Sequence, residues 1–238
     1  MAENQVALES KGIKRALKKF SVYDAIAEYI WNGFDANATK VDVSFQSNKL
    51  KGISQVSITD NGVGISRETL LSKFTPIFAS NKLHSNRVDP RNSSMTHGKN
   101  GIGRFTFFTF AEQAKWSTVY ADGDRHYQYS IEIHQDSLDK YRDSDVTETD
   151  DGIGTTVTFY NFSNKEFELR ELREYLVLEF AWYLELNKNH KFNIRIDGQL
   201  LDYSSVLAHS ETKEYVYEEE YKDKKTTTSF NVTFAVGT

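Results

Sequence analysis

Four short segments set polar or charged side chains beside glycine at the end of a helix or strand. In Glu28-Tyr29-Ile30-Trp31-Asn32-Gly33-Phe34-Asp35-Ala36, Glu28 and Asn32 stand four apart and share one face of a helix. An acid there can polarise a water. A neighbouring amide oxygen suits a hard cation such as Mg²⁺, which takes few protein ligands and keeps phosphates and waters. A solvated polar helix face accounts for the same pair. In Asp60-Asn61-Gly62-Val63-Gly64-Ile65 a strand delivers a carboxylate into a turn, where glycine lets the backbone approach a ligand. An ordinary Asp-Asn-Gly turn is the simpler account.

The third segment, Gly98-Lys99-Asn100-Gly101-Ile102-Gly103-Arg104-Phe105, opens a helix whose free N–H groups suit phosphate. It has no Gly-Lys-Ser/Thr after four spacers, which excludes a Walker mechanism. The fourth, Gly152-Ile153-Gly154-Thr155-Thr156, is a hydroxyl-bearing turn into a strand and is weak by itself.

The elements that must position these groups can be read from periodicity. Ser21 and Asp24 have capping-box spacing, with Asp in place of the usual Glu or Gln. Behind them Val22, Ala25, Ile26, Tyr29, Ile30 and Gly33 recur at helical spacing and predict a buried stripe through Asp35. Alternation predicts strands at 41–45 and 55–59, with Val56 and Ile58 inward, and others at 114–120, 126–134 and 155–160. Residues 66–74 form a short helix capped by Ser66, and a second helix runs from Gly101 through Phe110 to Gln113. Residues 165–187 form a long amphipathic helix with Phe167, Leu169, Leu172, Tyr175, Leu176, Leu178 and Phe180 on its apolar side. Residues 213–221 and 226–236 read as two β segments around a charged turn. Residues 75–100 lack periodicity and are rich in Ser and Asn, the pattern of a long lid loop. The whole is an α+β sandwich pattern without strict β-α-β alternation.

Composition removes several classes. The 238 residues contain no Cys, so disulfides, thiol nucleophiles and Cys-based zinc sites are excluded. A formal net charge of −5 argues against a surface that coats nucleic acid, though a local basic groove remains open. No apolar run approaches the length of a membrane helix, and the first residues have no secretion-signal core, so the expected location is cytoplasmic. The six His show no metal spacing. The basic run from Lys11 to Lys19 reads as a solvated helix face or as a contact for an acidic partner.

Taken in order, the four segments resemble the motifs of the GHKL superfamily of ATPase domains (gyrase, heat-shock chaperone, histidine kinase, MutL), nearest to the MORC, MutL and heat-shock-chaperone-like branch. The resemblance spans roughly 15–200 and implies a two-layer sandwich (the Bergerat ATP-binding fold), with a mixed, mostly antiparallel sheet, helices on one face and an ATP lid over about 75–100. It implies ATP and Mg²⁺ as ligands and assigns roles. Glu28 is the general base, Asn32 the Mg²⁺ ligand, and Asp60 the acceptor for the adenine amino group. Gly64 leaves room for the base, Gly62 and Ile65 count among the nucleotide-binding residues, and Thr155 supports Asp60 and its bound water. The amides of Gly101, Ile102 and Gly103 hold the phosphates, and Gly98, Lys99 and Asn100 count among the nucleotide-binding residues. Asp35 and Ala36 anchor the helix end at the adenine pocket, while Lys82, like Lys99 and Arg104, resembles a lid cation reaching phosphate or is a plain surface charge.

The resulting expectation is an ATPase whose slow hydrolysis drives lid closure and ATP-gated homodimerisation of a larger protein. Residues 1–205 are its nucleotide domain, and 206–238 open a truncated transducer-like domain. A nucleic-acid or protein client would be met through C-terminal regions, and no membrane is involved. A nucleotide-sensing module without turnover, a degenerate scaffold and a histidine-kinase-type phosphotransfer domain stay open. The last is disfavoured because no His precedes Glu28.

Overall fold

The computed structural model describes residues 10–49, 52–74, 103–163, 167–207, 210–221 and 224–235. Helix α1 (Ser10–Leu17) turns Ile13 and Leu17 fully inward and leaves its Lys and Arg side chains largely outside. Helix α2 (Val22–Asp35) begins at the expected cap. Ser21 accepts from the Asp24 amide, and the Asp24 side chain accepts in return from the Ser21 amide, so Asp completes the box in place of Glu.

Strands β1 (Lys40–Ser47), β2 (Ile53–Asp60), β3 (Gln113–Asp122), β4 (Arg125–His134), β5 (Arg142–Asp143), β6 (Thr147–Thr149) and β7 (Gly154–Tyr160) precede helix α4 (Leu169–Leu186); a short helix α3 (Leu70–Phe74) follows β2. After α4 come β8 (Asn193–Ile196), β9 (Gln199–Leu200) and a four-residue helix α5 (Ser204–Leu207). The sheet order is β5-β4-β3-β7-β2-β1-β8-β9, with β6 also on β4. The β1–β8 pairing is parallel and the rest are antiparallel. This is a mixed α/β fold on a large, mostly antiparallel open sheet, as the sequence predicts.

Alternation along the strands makes one sheet face apolar and the other wet. Val41, Val43, Val56, Ile58, Val157 and Phe159 face the helices and are buried with Ala25, Ile26, Ile30 and Phe34 of α2. The opposite face carries hydroxyls and charges. Thr59 meets Thr156 at 3.0 Å, Ser57 meets Thr158 at 3.3 Å, and Lys115 pairs with Glu132 at 3.1 Å.

Three expectations change. The helix expected to run from Gly101 to Gln113 is a 3-10 helix over Gly103–Thr109, and Gln113 starts β3. The run is aromatic and β-branched, and Thr106 and Thr109 hydroxyls donate to the carbonyls three residues back, which favours the tighter turn. Helix α4 begins at Leu169, and its core side is Leu172, Leu176, Phe180 and Leu184 with Ala181. Leu178, placed on the apolar side by sequence, is 72% exposed because the stripe advances by four and skips it. The tail forms one antiparallel hairpin, β10 (Ser210–Tyr221) with β11 (Lys224–Ala235), longer at its start than the alternation indicated. Residues 75–100, read as the lid, lie outside the described residues.

Phe180 packs its ring 4.4 Å from Trp31 of α2. Phe180→Ala is expected to lower unfolding free energy by about 3–5 kcal/mol, and Leu178→Ala by no more than ~0.5 kcal/mol. Urea denaturation of the two variants beside the parent chain checks the assignment of the buried face.

Candidate functional site

Helix α2 is fixed before it presents anything. Asp24 holds the cap with Oδ2, while its Oδ1 accepts from the Tyr175 hydroxyl of α4 at 2.6 Å. Burial pushes this carboxyl up, but the bonds from Tyr175 and Ser21 outweigh it and hold the group below its ordinary value. Tyr23 donates to Glu171 at 2.8 Å, and Trp31 Nε1 donates to Glu179 at 2.8 Å. Three bonds along one side therefore set the rotation of the helix about its axis, and with it the direction of Glu28 and Asn32.

Glu28 is half-buried and lies against the start of the 3-10 helix. A Cβ on Gly103 would sit 2.5 Å from Glu28 Oε2, so the residue there must be glycine for the carboxylate to keep its place. The next residue of α2, Tyr29, is buried and donates to the Arg104 carbonyl at 2.7 Å. Asn32 is half-buried one turn beyond Glu28 on the same line of the helix.

At the other end of α2, the Ala36 carbonyl accepts from Val63 N at 2.9 Å, which ties the helix terminus to the Asp60–Ile65 turn. Asp35 is the last helical residue, half-buried beside that junction. Asp60 ends β2 facing α2, with its Cβ beside Gly33. Its carboxyl accepts from Gly62 N at 2.8 Å and faces the Thr155 amide. Burial dominates these bonds and pushes its pKa up to about 6. Gly64 has φ +73°, and a Cβ would meet the Val119 carbonyl at 2.1 Å, so the turn can pass over β3 only with glycine. Ile65 then donates its amide to Thr118 Oγ1 at 2.9 Å, and Thr118 Oγ1 lies 3.0 Å from Thr155 Oγ1.

The structure thus sets Glu28 beside Gly103 in the middle of α2, with Asn32 one turn further on, and gathers Asp35, Ala36, Asp60, Gly62, Gly64, Ile65 and Thr155 around the C-terminal end of the helix. Lys82, Gly98, Lys99, Asn100, Gly101 and Ile102 lie outside the described residues. Arg104, a candidate phosphate cation, has a different place. Its guanidinium stacks on Phe105 at 4.4 Å and Phe74 at 5.6 Å and donates to the Phe74 carbonyl at 2.9 Å. Burial lowers its pKa to about 10.

Sequence reasoning missed Thr118. Its signal was present: Trp116 and Tyr120 occupy the inward phase of β3, and Thr118 is the polar residue between them, 1% exposed. No group of three or more His, Cys, Asp or Glu among the described residues could by itself hold a metal. No helix among them is long and apolar enough to cross a membrane.

A family model described as histidine kinase-, DNA gyrase B- and HSP90-like ATPase matches residues 20–157 of the chain. No curated protein matches it significantly.

The raised pKa of Asp60 has a stability consequence of definite sign. The folded chain holds the proton more tightly than the unfolded chain, so this contribution is present at pH 4 and lost as pH rises through about 6. Asp60→Asn removes the titration. The stability of the variant relative to the parent is expected to increase between pH 4 and 6 and level off above, as read by urea midpoints across that range.

Proposed function

This chain belongs to the histidine kinase-, DNA gyrase B- and HSP90-like ATPase family, and on that footing we propose that it binds Mg²⁺-ATP, hydrolyses it slowly, and pairs with a second copy while ATP is bound. The observation that carries the reading is the span of α2. Its C-terminal end is bonded to the turn holding a largely shielded carboxylate, and Glu28 lies against Gly103. From Glu28 to Ala36 the helix rises about 12 Å, room for a nucleotide laid from base to terminal phosphate.

At the base end, Asp60 accepts from the adenine amino group. A carboxylate already held by an amide and largely shielded from solvent gains more from that bond than an exposed one. At the phosphate end, Glu28 takes a proton from a water as the water oxygen attacks the terminal phosphorus. The bond from that phosphorus to the bridging oxygen breaks, and ADP and phosphate leave. Gly103, without a side chain, leaves room for the Glu28 carboxylate.

A single half-buried amide oxygen on Asn32, with no metal-binding cluster among the described residues, suits a cation that brings phosphate oxygens and waters as its other ligands. Bound with the nucleotide, Mg²⁺ offsets the charge that builds on the phosphates. A module that binds without turnover would share the purine end; Glu28 against Gly103 favours turnover. The pairing rests on the likeness of the four motifs to those of dimeric members. Residues 206–238, with hairpin β10–β11, we assign to the opening of a transducer-like domain.

Glu28→Ala is expected to bind Mg²⁺-ATP within about threefold of the parent while phosphate release falls by roughly 10²–10⁴-fold, the range of a lost general base. Asn32→Ala is expected to weaken Mg²⁺-ATP binding itself. Calorimetry and a phosphate-release assay on the same preparations separate the two, and a Glu28→Ala variant hydrolysing at the parental rate refutes the assignment.

A further inference from the structure

Thr118 sits where three motif-bearing segments meet, and no part of the catalytic reading uses it. Its Oγ1 accepts from Ile65 N at 2.9 Å, contacts Thr155 Oγ1 at 3.0 Å and reaches the Gly154 carbonyl at 3.4 Å. The side chain is 1% exposed and that of Thr155 7%, so water does not supply alternative partners freely. The two threonines are also register partners on adjacent strands, which fixes their separation through the backbone.

A threonine hydroxyl has one proton to donate and two lone pairs. The Ile65 amide occupies one lone pair of Thr118. Thr155 Oγ1 at 3.0 Å and the Gly154 carbonyl at 3.4 Å are both within reach of its proton, and either threonine can donate in the shorter contact. Donation to Thr155 engages a lone pair of that hydroxyl and leaves the Thr155 proton to be presented elsewhere. The Thr155 amide faces the Asp60 carboxyl, so the freed proton belongs to the same end of the site as that acceptor.

We propose that Thr118 is a positioning residue that orients the Thr155 hydroxyl as a donor beside the Asp60 acceptor, and thereby makes the site selective for adenine. The inference rests on the ATP-binding reading. Adenine presents an amino donor next to a ring-nitrogen acceptor, which an acceptor–donor pair matches directly or through one water. Guanine presents the reverse order, a carbonyl and a ring N–H, and meets like against like. The Ile65 bond adds a second constraint, because the same hydroxyl pins the turn that carries Gly62 and Gly64.

The test measures dissociation constants for Mg²⁺-ATP and Mg²⁺-GTP on the whole chain by calorimetry. Thr118→Val keeps the shape and removes the hydroxyl; ATP binding is expected to weaken about tenfold, the worth of one such bond, with GTP binding nearly unchanged, so the preference shrinks. Thr118→Ser is expected to restore it, which a purely structural role for the γ-methyl would not predict. If Thr118→Val does not fold, Thr118→Cys, whose thiol is a weak donor, is expected to show a smaller loss in the same ratio. Asp60→Asn runs alongside as the control on the pocket. Loss of preference in both Asp60→Asn and the Thr118 variant supports the proposal. Loss in Asp60→Asn with an unchanged ratio in folded Thr118→Val or Thr118→Cys overturns it and leaves the ATP reading standing. An unchanged ratio in Asp60→Asn overturns both.

Discussion

The carboxyl of Asp60 has been largely taken out of water and given only part of what water supplied. Gly62 N and the Thr155 amide face it, yet burial still outweighs them and raises its pKa to about 6. A buried acceptor with spare capacity is a strong recognition element, because a ligand that donates to it meets a group that has already lost its solvent. It is also a liability in the empty protein. The neighbouring structure can be understood as what keeps that carboxyl in place: a strand pairing behind it, a glycine-dependent turn beside it, and the end of α2 bonded across the turn.

The second constraint is rotational. A helix that must show one line of residues to a cleft needs its other sides committed, and α2 is committed on nearly all of them. Ala25, Ile26, Ile30 and Phe34 are buried in the core, and Tyr29 reaches the Arg104 carbonyl. Asp24 and Trp31 hold α4 through Tyr175 and Glu179. The aromatic stack of Trp31, Phe34, Phe180 and Tyr183 fills the seam between the helices with ring separations of 4.4 to 6.1 Å. What remains is the line of half-buried Glu28 and Asn32, with Glu28 beside Gly103.

Much of this was legible because it is local. The Ser21–Asp24 cap, the α2 stripe and the alternation in β1, β2, β3, β4 and β7 follow from periodicities that tertiary contacts reinforce rather than override. What sequence could not supply was pairing over distance. The parallel β1–β8 contact joins strands some 150 residues apart, and the four-residue β8 carries too short a pattern to announce itself. The 3-10 segment looked like a helix because glycine followed by aromatics has no distinctive period, and Thr106 and Thr109 reveal their local bonds only in three dimensions. Sequence left Arg104 open between a phosphate cation and a surface charge; in the fold it packs on two rings and donates to a carbonyl. The assignment of Asp60 to a purine came from motif order, while its burial emerged only in the fold.

The bond from the Arg104 guanidinium to the Phe74 carbonyl joins residues thirty positions apart. The chain between them departs and returns at one stapled doorway, whatever path it takes. Helix α3 and the 3-10 helix are thereby joined directly, so a strain on either is passed to the other.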